Sequence, residues 1–353
     1  SDGGPKITHY WNYPVAHTCP SSCSTHKVVP KFILGLIRYK SALSINWLIE
    51  ILWPDTSPHH QNFNKLMRHI FFLLLLPLFA SAQEYPIYIT EEGHILVHVR
   101  LADSISGNFI LDTGAGANVL SAKMFSRIEA QAKKAGYFTG FRHDGDRLDG
   151  TGFQIPYLAI GKMKQAEPLI GVYPPLDDYG VDGLLSLKFF EDKPFTIDFV
   201  NQKLIFPDPD SISQPDGSKI IIPLSIHQHT NVLLDIFVPI YLNDSLEVLA
   251  EFDTGSGYET YLVNTNYIQD LGLDTSQVIK QPYITQFSGE EREDHIYTLN
   301  TLAIAGKGGK IKKENPRVIF REKLIYNALI GSGLFKDRSV TIDIPNRVMV
   351  IHD

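Results

Sequence analysis

Two stretches of the chain hold residue types that could do chemistry together. Phe109-Ile110-Leu111 runs into Asp112-Thr113-Gly114, and Leu249-Ala250-Glu251-Phe252 runs into Asp253-Thr254-Gly255-Ser256, with the two aspartates 141 positions apart. Each stretch reads as a strand that delivers a carboxylate, a hydroxyl and a glycine at its end. Two carboxylates brought within about 3 Å of one another cannot both ionise, so they share one proton and titrate in separate steps. The ionised member can take a proton from a water held between them, while the protonated member donates to the carbonyl that the water attacks. Glycine after each Asp-Thr permits close backbone approach, and each threonine hydroxyl can reach the opposite loop. A lone Asp-Thr-Gly is commonly just a turn after a strand. Two copies in matching contexts point to carboxylates that meet.

The elements that would position these loops are themselves duplicated. Residues 181–190 (VDGLLSLKFF) align with residues 326–335 (YNALIGSGLF) at an offset of 145, and Thr196-Ile197-Asp198-Phe199 aligns with Thr341-Ile342-Asp343-Ile344 at the same offset. Both copies lead through an Asn-containing turn into an apolar strand, residues 203–206 and 347–351. Alternating apolar residues, β-branched residues and Gly/Asn/Asp turns predict mostly strands, beginning near residues 94–101. Apolar residues at Met124, Phe125, Ile128 and Ala132 predict a helix over residues 122–135, with residues 266–271 as its counterpart. The division between the halves falls in residues 207–217, where Pro, Asp and Ser replace the apolar pattern.

The two loops resemble the active-site loops of aspartic proteases of the pepsin and retroviral-protease type. Their presence in one chain resembles bacterial aspartyl protease family proteins, and the likeness spans residues 83–353. It implies an all-β fold of two homologous β-barrel lobes, residues 83–212 and 213–353, with the active-site cleft between them. It also implies an endopeptidase that uses water and needs neither cofactor nor metal. Asp112 and Asp253 would be catalytic, with Thr113, Gly114, Thr254, Gly255 and Ser256 supporting them. The partner would be a peptide or protein substrate, and a monomer would suffice because both lobes are in one chain. Such proteins cover the cleft with a first-lobe hairpin carrying an aromatic residue near its tip. Phe153 and Tyr157, after Gly150-Thr151-Gly152, are the candidates. The second-lobe hairpin would include Ser288-Gly289. Leu329-Ile330-Gly331 fits the family's second glycine-bearing segment, whereas Leu184-Leu185-Ser186 has serine in place of glycine, which puts close backbone packing there in question. In the family a hydroxyl at the place of Ser256 donates to the nearby aspartate, which implies that Asp253 is the ionised member and Asp112 the protonated one. The alternative is a protease-like protein of the cell envelope that binds peptides without cutting them.

The remaining sequence bounds the setting. Residues 1–66 hold both cysteines and all three tryptophans but read as upstream or non-domain sequence. Cys19 and Cys23 have the wrong spacing for a Cys-x-x-Cys motif, and His17 and His26 add little toward a zinc site. The apolar patch at 32–53 is broken by Arg38, Lys40 and Glu50 and makes a poor membrane span. Residues 67–82 have a basic lead, an eleven-residue apolar run from Ile70 to Ala80, and a small-residue site at Ala80-Ser81-Ala82. This is the pattern of a signal peptide, without a cysteine for a lipid anchor, and it predicts an exported protein, periplasmic or secreted, starting at Gln83. No propeptide is expected in the short stretch that follows. Residues 83–353 carry 25 Lys/Arg against 36 Asp/Glu and no cysteine. That acidity argues against nucleic acid or an anionic membrane surface as partner, and the fold must hold without disulfides. His227-Gln228-His229 lacks a third metal ligand and reads as a solvated strand end. Residues 290–294 (EERED) read as a solvated hairpin tip, and Tyr173-Pro174-Pro175 as a rigid loop near the cleft. No phosphate-cradling glycine motif or Gly-x-Ser-x-Gly elbow accompanies these glycines.

Overall fold

Along Ile95–Leu101 the residues Ile95, Val97, Val99 and Leu101 are buried while His98 and Arg100 are exposed, the period-two signature of a strand with one face in a core. The pattern recurs through most of the chain. The computed structural model describes residues 83–102, 105–208, 212, 219–229 and 232–352. The expectations for residues 1–66 and 67–82 lie outside the described residues, as does most of the boundary segment. The protein is all-β, with two ten-stranded sheets curled as half-barrels, consistent with two β-barrel lobes.

The two sheets have the same strand order. In the first lobe it runs Lys133–Phe141, Arg147–Gln154, Leu169–Val172, Asn118–Leu120, Gly183–Leu185, Ile105–Leu111, Ile95–Leu101, Tyr157–Ile160 and Met163–Ala166. In the second it runs Ile279–Ile284, Glu291–Thr298, Arg317–Arg321, Tyr261–Asn264, Ala328–Ile330, Leu246–Phe252, Leu233–Leu242, Thr301–Gly306 and Gly309–Glu314, and the tenth strand of each sheet, Tyr88–Ile89 or Ser225–His229, pairs off this path with Ile95–Leu101 or Leu233–Leu242. In each lobe the strand that ends in Asp-Thr-Gly lies inside the sheet. On one side it pairs in parallel with Gly183–Leu185 or Ala328–Ile330. On the other it pairs antiparallel with Ile95–Leu101 or Leu233–Leu242. An interior strand has both edges hydrogen-bonded, which gives the aspartate a rigid base.

A third sheet of six strands joins the halves, in the order Gln83–Pro86, Lys203–Phe206, Phe195–Asp198, Ser339–Asp343, Val348–His352 and Lys219–Pro223. At its centre the repeat-equivalent residues Thr196 and Thr341 lie directly opposite each other, their hydroxyls 2.7 Å apart. Equivalent residues can face each other in this way only on a pseudo-two-fold axis. The flanking turns also match. The Asp198 carboxylate accepts from the Asn201 amide side chain at 2.8 Å, and the Asp343 carboxylate from that of Asn346 at 2.8 Å. In this sheet the strand Lys203–Phe206 ends before the boundary segment and Lys219–Pro223 begins after it.

Three local expectations are corrected. The helix over 122–135 stops early: Ala122–Ser126 is α-helical, a 3-10 turn covers Glu129–Gln131, and Lys133–Phe141 is a strand. Met124 and Ile128 are buried as a helical spacing requires. Beyond them, pairing with Arg147–Gln154 overrides the helix propensity of Lys133, Lys134 and Ala135. Tyr267–Asp270 forms the short counterpart helix in the second lobe. The first-lobe hairpin does not turn near Gly152. Its tip is residues 142–146, between strands Lys133–Phe141 and Arg147–Gln154. Finally, residues 290–294 are not a uniformly solvated tip. The Arg292 side chain and Asp294 are buried, because they face the first-lobe tip and Arg321 respectively.

Candidate active site

Each Asp-Thr-Gly loop leaves its strand while still tied to the neighbouring one. The Asp112 amide donates to the Leu185 carbonyl at 3.0 Å, and the Asp253 amide to that of Ile330 at 2.9 Å. One carboxylate oxygen of each aspartate accepts from the amide two residues on, Gly114 at 3.0 Å and Gly255 at 2.8 Å. The loops then interlock through the threonines. The Thr113 hydroxyl donates to the Phe252 carbonyl at 2.5 Å and accepts from the Thr254 amide at 3.0 Å. The Thr254 hydroxyl donates to the Leu111 carbonyl at 2.7 Å and accepts from the Thr113 amide at 3.1 Å. Both threonines are fully buried, so these four bonds are shielded from competing water. The glycines cross-pack in the same way. A Cβ on Gly114 would lie 2.5 Å from the Asp253 Cγ, and one on Gly255 would overlap the Asp112 carboxyl.

The two carboxyl groups hydrogen-bond each other. Both aspartates are half-buried. Burial raises both above the ordinary carboxylate range, and for Asp253 the facing Asp112 charge raises it further. Two such groups hold one proton between them. The donor expected to favour ionisation of the Asp253 carboxyl is turned elsewhere. The Ser256 hydroxyl donates to the main-chain carbonyl of Asp253 at 2.9 Å, because in this tight turn the side chain folds back on its own backbone. His94 lowers Asp112, whereas Asp253 lies beside another buried acid, Glu251. Chemically, the pair can hold a water, deprotonate it and donate a proton to an adjoining carbonyl.

Serine in place of glycine at 186 fits without strain. Ser186 is fully buried, its amide and hydroxyl donate to the Asn118 side-chain oxygen at 2.9 and 3.3 Å, and its hydroxyl accepts from the Lys188 amide. At Gly331 no such room exists, since a Cβ would collide with the Gly257 carbonyl. Neither candidate aromatic occupies the first-lobe hairpin tip. Phe153 packs on Phe125 at the base of the hairpin, with ring centroids 4.4 Å apart. Tyr157 begins the next strand, with the Lys164 ammonium 4.0 Å from its ring centroid. His227 is exposed on its strand with its ring against Phe237.

The hairpin tips of the two lobes clasp each other. The Asp146 carboxylate accepts from the Phe287 amide at 2.5 Å and the Ser288 amide at 3.0 Å, and the Ile325 amide donates to the His143 carbonyl at 2.9 Å. Arg292 donates to the Asp144 carbonyl. Tyr173 joins the clasp by donating its hydroxyl to Gln286 at 3.1 Å, with its ring tilted against that of Phe287, centroids 5.9 Å apart.

Two residues were not anticipated as part of this site. Glu251 is buried at 1% exposure, and Asp235 at 5%. Burial raises Asp235 to about 7, and burial together with the neighbouring carboxylates raises Glu251 well above its ordinary value. A signal was available in the repeat. At the offset of the catalytic loops, Glu251 stands where the first lobe has Ile110, and Asp235 where it has His94.

The chain matches no family model and no curated protein.

Proposed function

We propose that the protein is an aspartic endopeptidase, hydrolysing peptide bonds with a water activated by Asp112 and Asp253. The observation that carries this reading is the reciprocal threonine interlock, which holds two Asp-Thr-Gly loops about a pseudo-two-fold axis with their carboxyl groups hydrogen-bonded to each other. A structural turn has no use for two buried carboxyls aimed at one another, since the pair costs desolvation and charge repulsion. In the free protein the ionised member of the pair serves as base toward the water, and the member that holds the shared proton donates it to the scissile carbonyl. The clasped hairpins supply a cover that must part to admit a peptide. On this reading the substrate is a peptide or protein, one chain builds the whole site, and the place of action is outside the cytoplasm, periplasmic or secreted.

The test is cleavage of a diverse peptide mixture from acidic to neutral pH by the protein and by Asp112→Asn and Asp253→Asn. Loss of cleavage in both variants supports the dyad. A folded parent protein that cleaves nothing, yet binds peptides, would instead be a peptide-binding protein.

A further inference from the structure

On the second-lobe strand Leu246–Phe252, Val248, Ala250 and Phe252 enter the core. By strand alternation Leu249, Glu251 and then Asp253 face the other way, toward the dyad. Glu251 is thus on the catalytic face, two residues and about 6–7 Å along the strand from Asp253. The Tyr326 hydroxyl donates to its carboxylate, yet Oε1 is buried without any hydrogen-bond partner. Its cross-strand neighbours are Phe237 and Leu329. Asp235 lies two residues from Phe237 on the same face and approaches Gly116 of the first lobe, its Oδ1 3.4 Å from where a Cβ on that glycine would stand. The corresponding first-lobe positions are Leu96, Ile110 and Leu184, paired with one another in the same register and all apolar.

The asymmetry calls for a ligand. A buried carboxylate oxygen without a partner is costly, and burying an apolar residue in its place is commonly neutral or stabilising. The first lobe shows that an isoleucine is accommodated at this position. No three His, Cys, Asp or Glu side chains among the described residues converge so as to hold a metal ion, so a cation here would arrive on the substrate. We propose that Glu251 is the specificity group of the cleft: its carboxylate receives a lysine or arginine side chain beside the scissile bond on the second-lobe side, while Leu96, Ile110 and Leu184 receive an apolar side chain on the first-lobe side. The ammonium or guanidinium supplies the missing donor to Oε1, and the Phe237 and Leu329 side chains pack its aliphatic stem. This assignment rests on the peptidase reading for the meaning of the scissile bond, but the cation pocket can be tested without turnover.

The experiment measures binding to Asp112→Asn protein, which cannot cleave on the proposed mechanism. The probes are blocked octapeptides in which one lysine or its uncharged isostere norleucine is moved through each position of a leucine/alanine host. At one position the lysine peptide is expected to bind at least tenfold more tightly than its norleucine twin. That preference disappears when Glu251→Gln or Glu251→Met is added, each checked for cooperative thermal unfolding. Burial and the facing Asp253, Asp235 and Asp112 raise Glu251 well above the ordinary carboxylate range, with the Tyr326 hydroxyl opposing them. Lysine binding should therefore release a proton, seen as a buffer-dependent calorimetric enthalpy that the Glu251→Gln variant lacks. Equal binding of the lysine and norleucine peptides at every position, or a lysine preference unchanged in both Glu251 variants, overturns the proposal. If the unaltered protein fails to cut the lysine peptide that Asp112→Asn binds, the peptidase reading falls and the cation pocket stands.

Discussion

Thr113 and Thr254 each satisfy two buried main-chain groups of the opposite loop. Thr254→Ala would orphan the Leu111 carbonyl and the Thr113 amide together. It should lower stability by about 2–3 kcal/mol in urea unfolding, and kcat/KM by about a hundredfold as the carboxyls lose register. Thr254→Ser, which keeps the hydroxyl, should recover most of both. Gly255→Ala drives a methyl group into the Asp112 carboxyl; the overpacking should cost about 1–3 kcal/mol, with activity lost more completely than stability. Asp235 leaves a signature in pH. Its folded-state value of about 7 lies above its ordinary 3.8, so the native state holds this proton more tightly than the unfolded chain. The associated stability is fully present below about pH 4 and is lost as pH rises through about 7. Thermal melts of Asp235→Asn across that window should fall less steeply with rising pH than those of the parent.

Among the elements, the paired hairpins are the parts that must move. Their clasp includes His143, whose Nε2 accepts from Arg321 at 2.8 Å, while Arg321 also donates to Asp294 at 2.8 Å. Burial and the Arg321 charge depress His143 to about 4, with Arg142 acting in the same sense and Asp144 and Asp294 opposing. A depressed histidine contributes stability that is present above its ordinary 6.5 and is lost as pH falls through about 4. Amide exchange in residues 142–146 and 285–290 should therefore quicken over that range, and His143→Gln, a neutral acceptor, should flatten the response. Asp146→Ala should loosen both tips at every pH. These elements were only partly legible in the sequence. The sequence pattern places the second-lobe hairpin at Ser288-Gly289, but it places the first-lobe hairpin too far along the chain, because its true tip at 142–146 carries no apolar pattern. A run of Lys133, Lys134 and Ala135 reads as helix until its cross-strand partner is known.

For the molecule as a whole, the six-stranded sheet carries the pseudo-symmetry that brings the loops together. Both lobes contribute three strands to it, and Thr196 and Thr341 mark its centre. Since one chain supplies both loops, specific activity should not change with dilution from micromolar to nanomolar protein. A loss on dilution, matched by a falling mass in light scattering, would show that a second chain is needed.

The sequence by itself determined the all-β class, the duplication, and the pairing of two Asp-Thr-Gly loops, because a period of two and repeated motifs are local properties that survive without coordinates. The equivalence of Ile110 with Glu251 was also written there, but its meaning was not, since a glutamate in a strand is ordinarily solvated. Only the tertiary structure decided that Glu251 and Asp235 are buried, that the Ser256 hydroxyl turns back on its own backbone, that Ser186 fits beside Asn118, and that the two hairpin tips clasp. Each of these depends on what another part of the chain places within a few ångströms. Burial, desolvation and hydrogen-bond satisfaction are properties of those surroundings, not of the residue type.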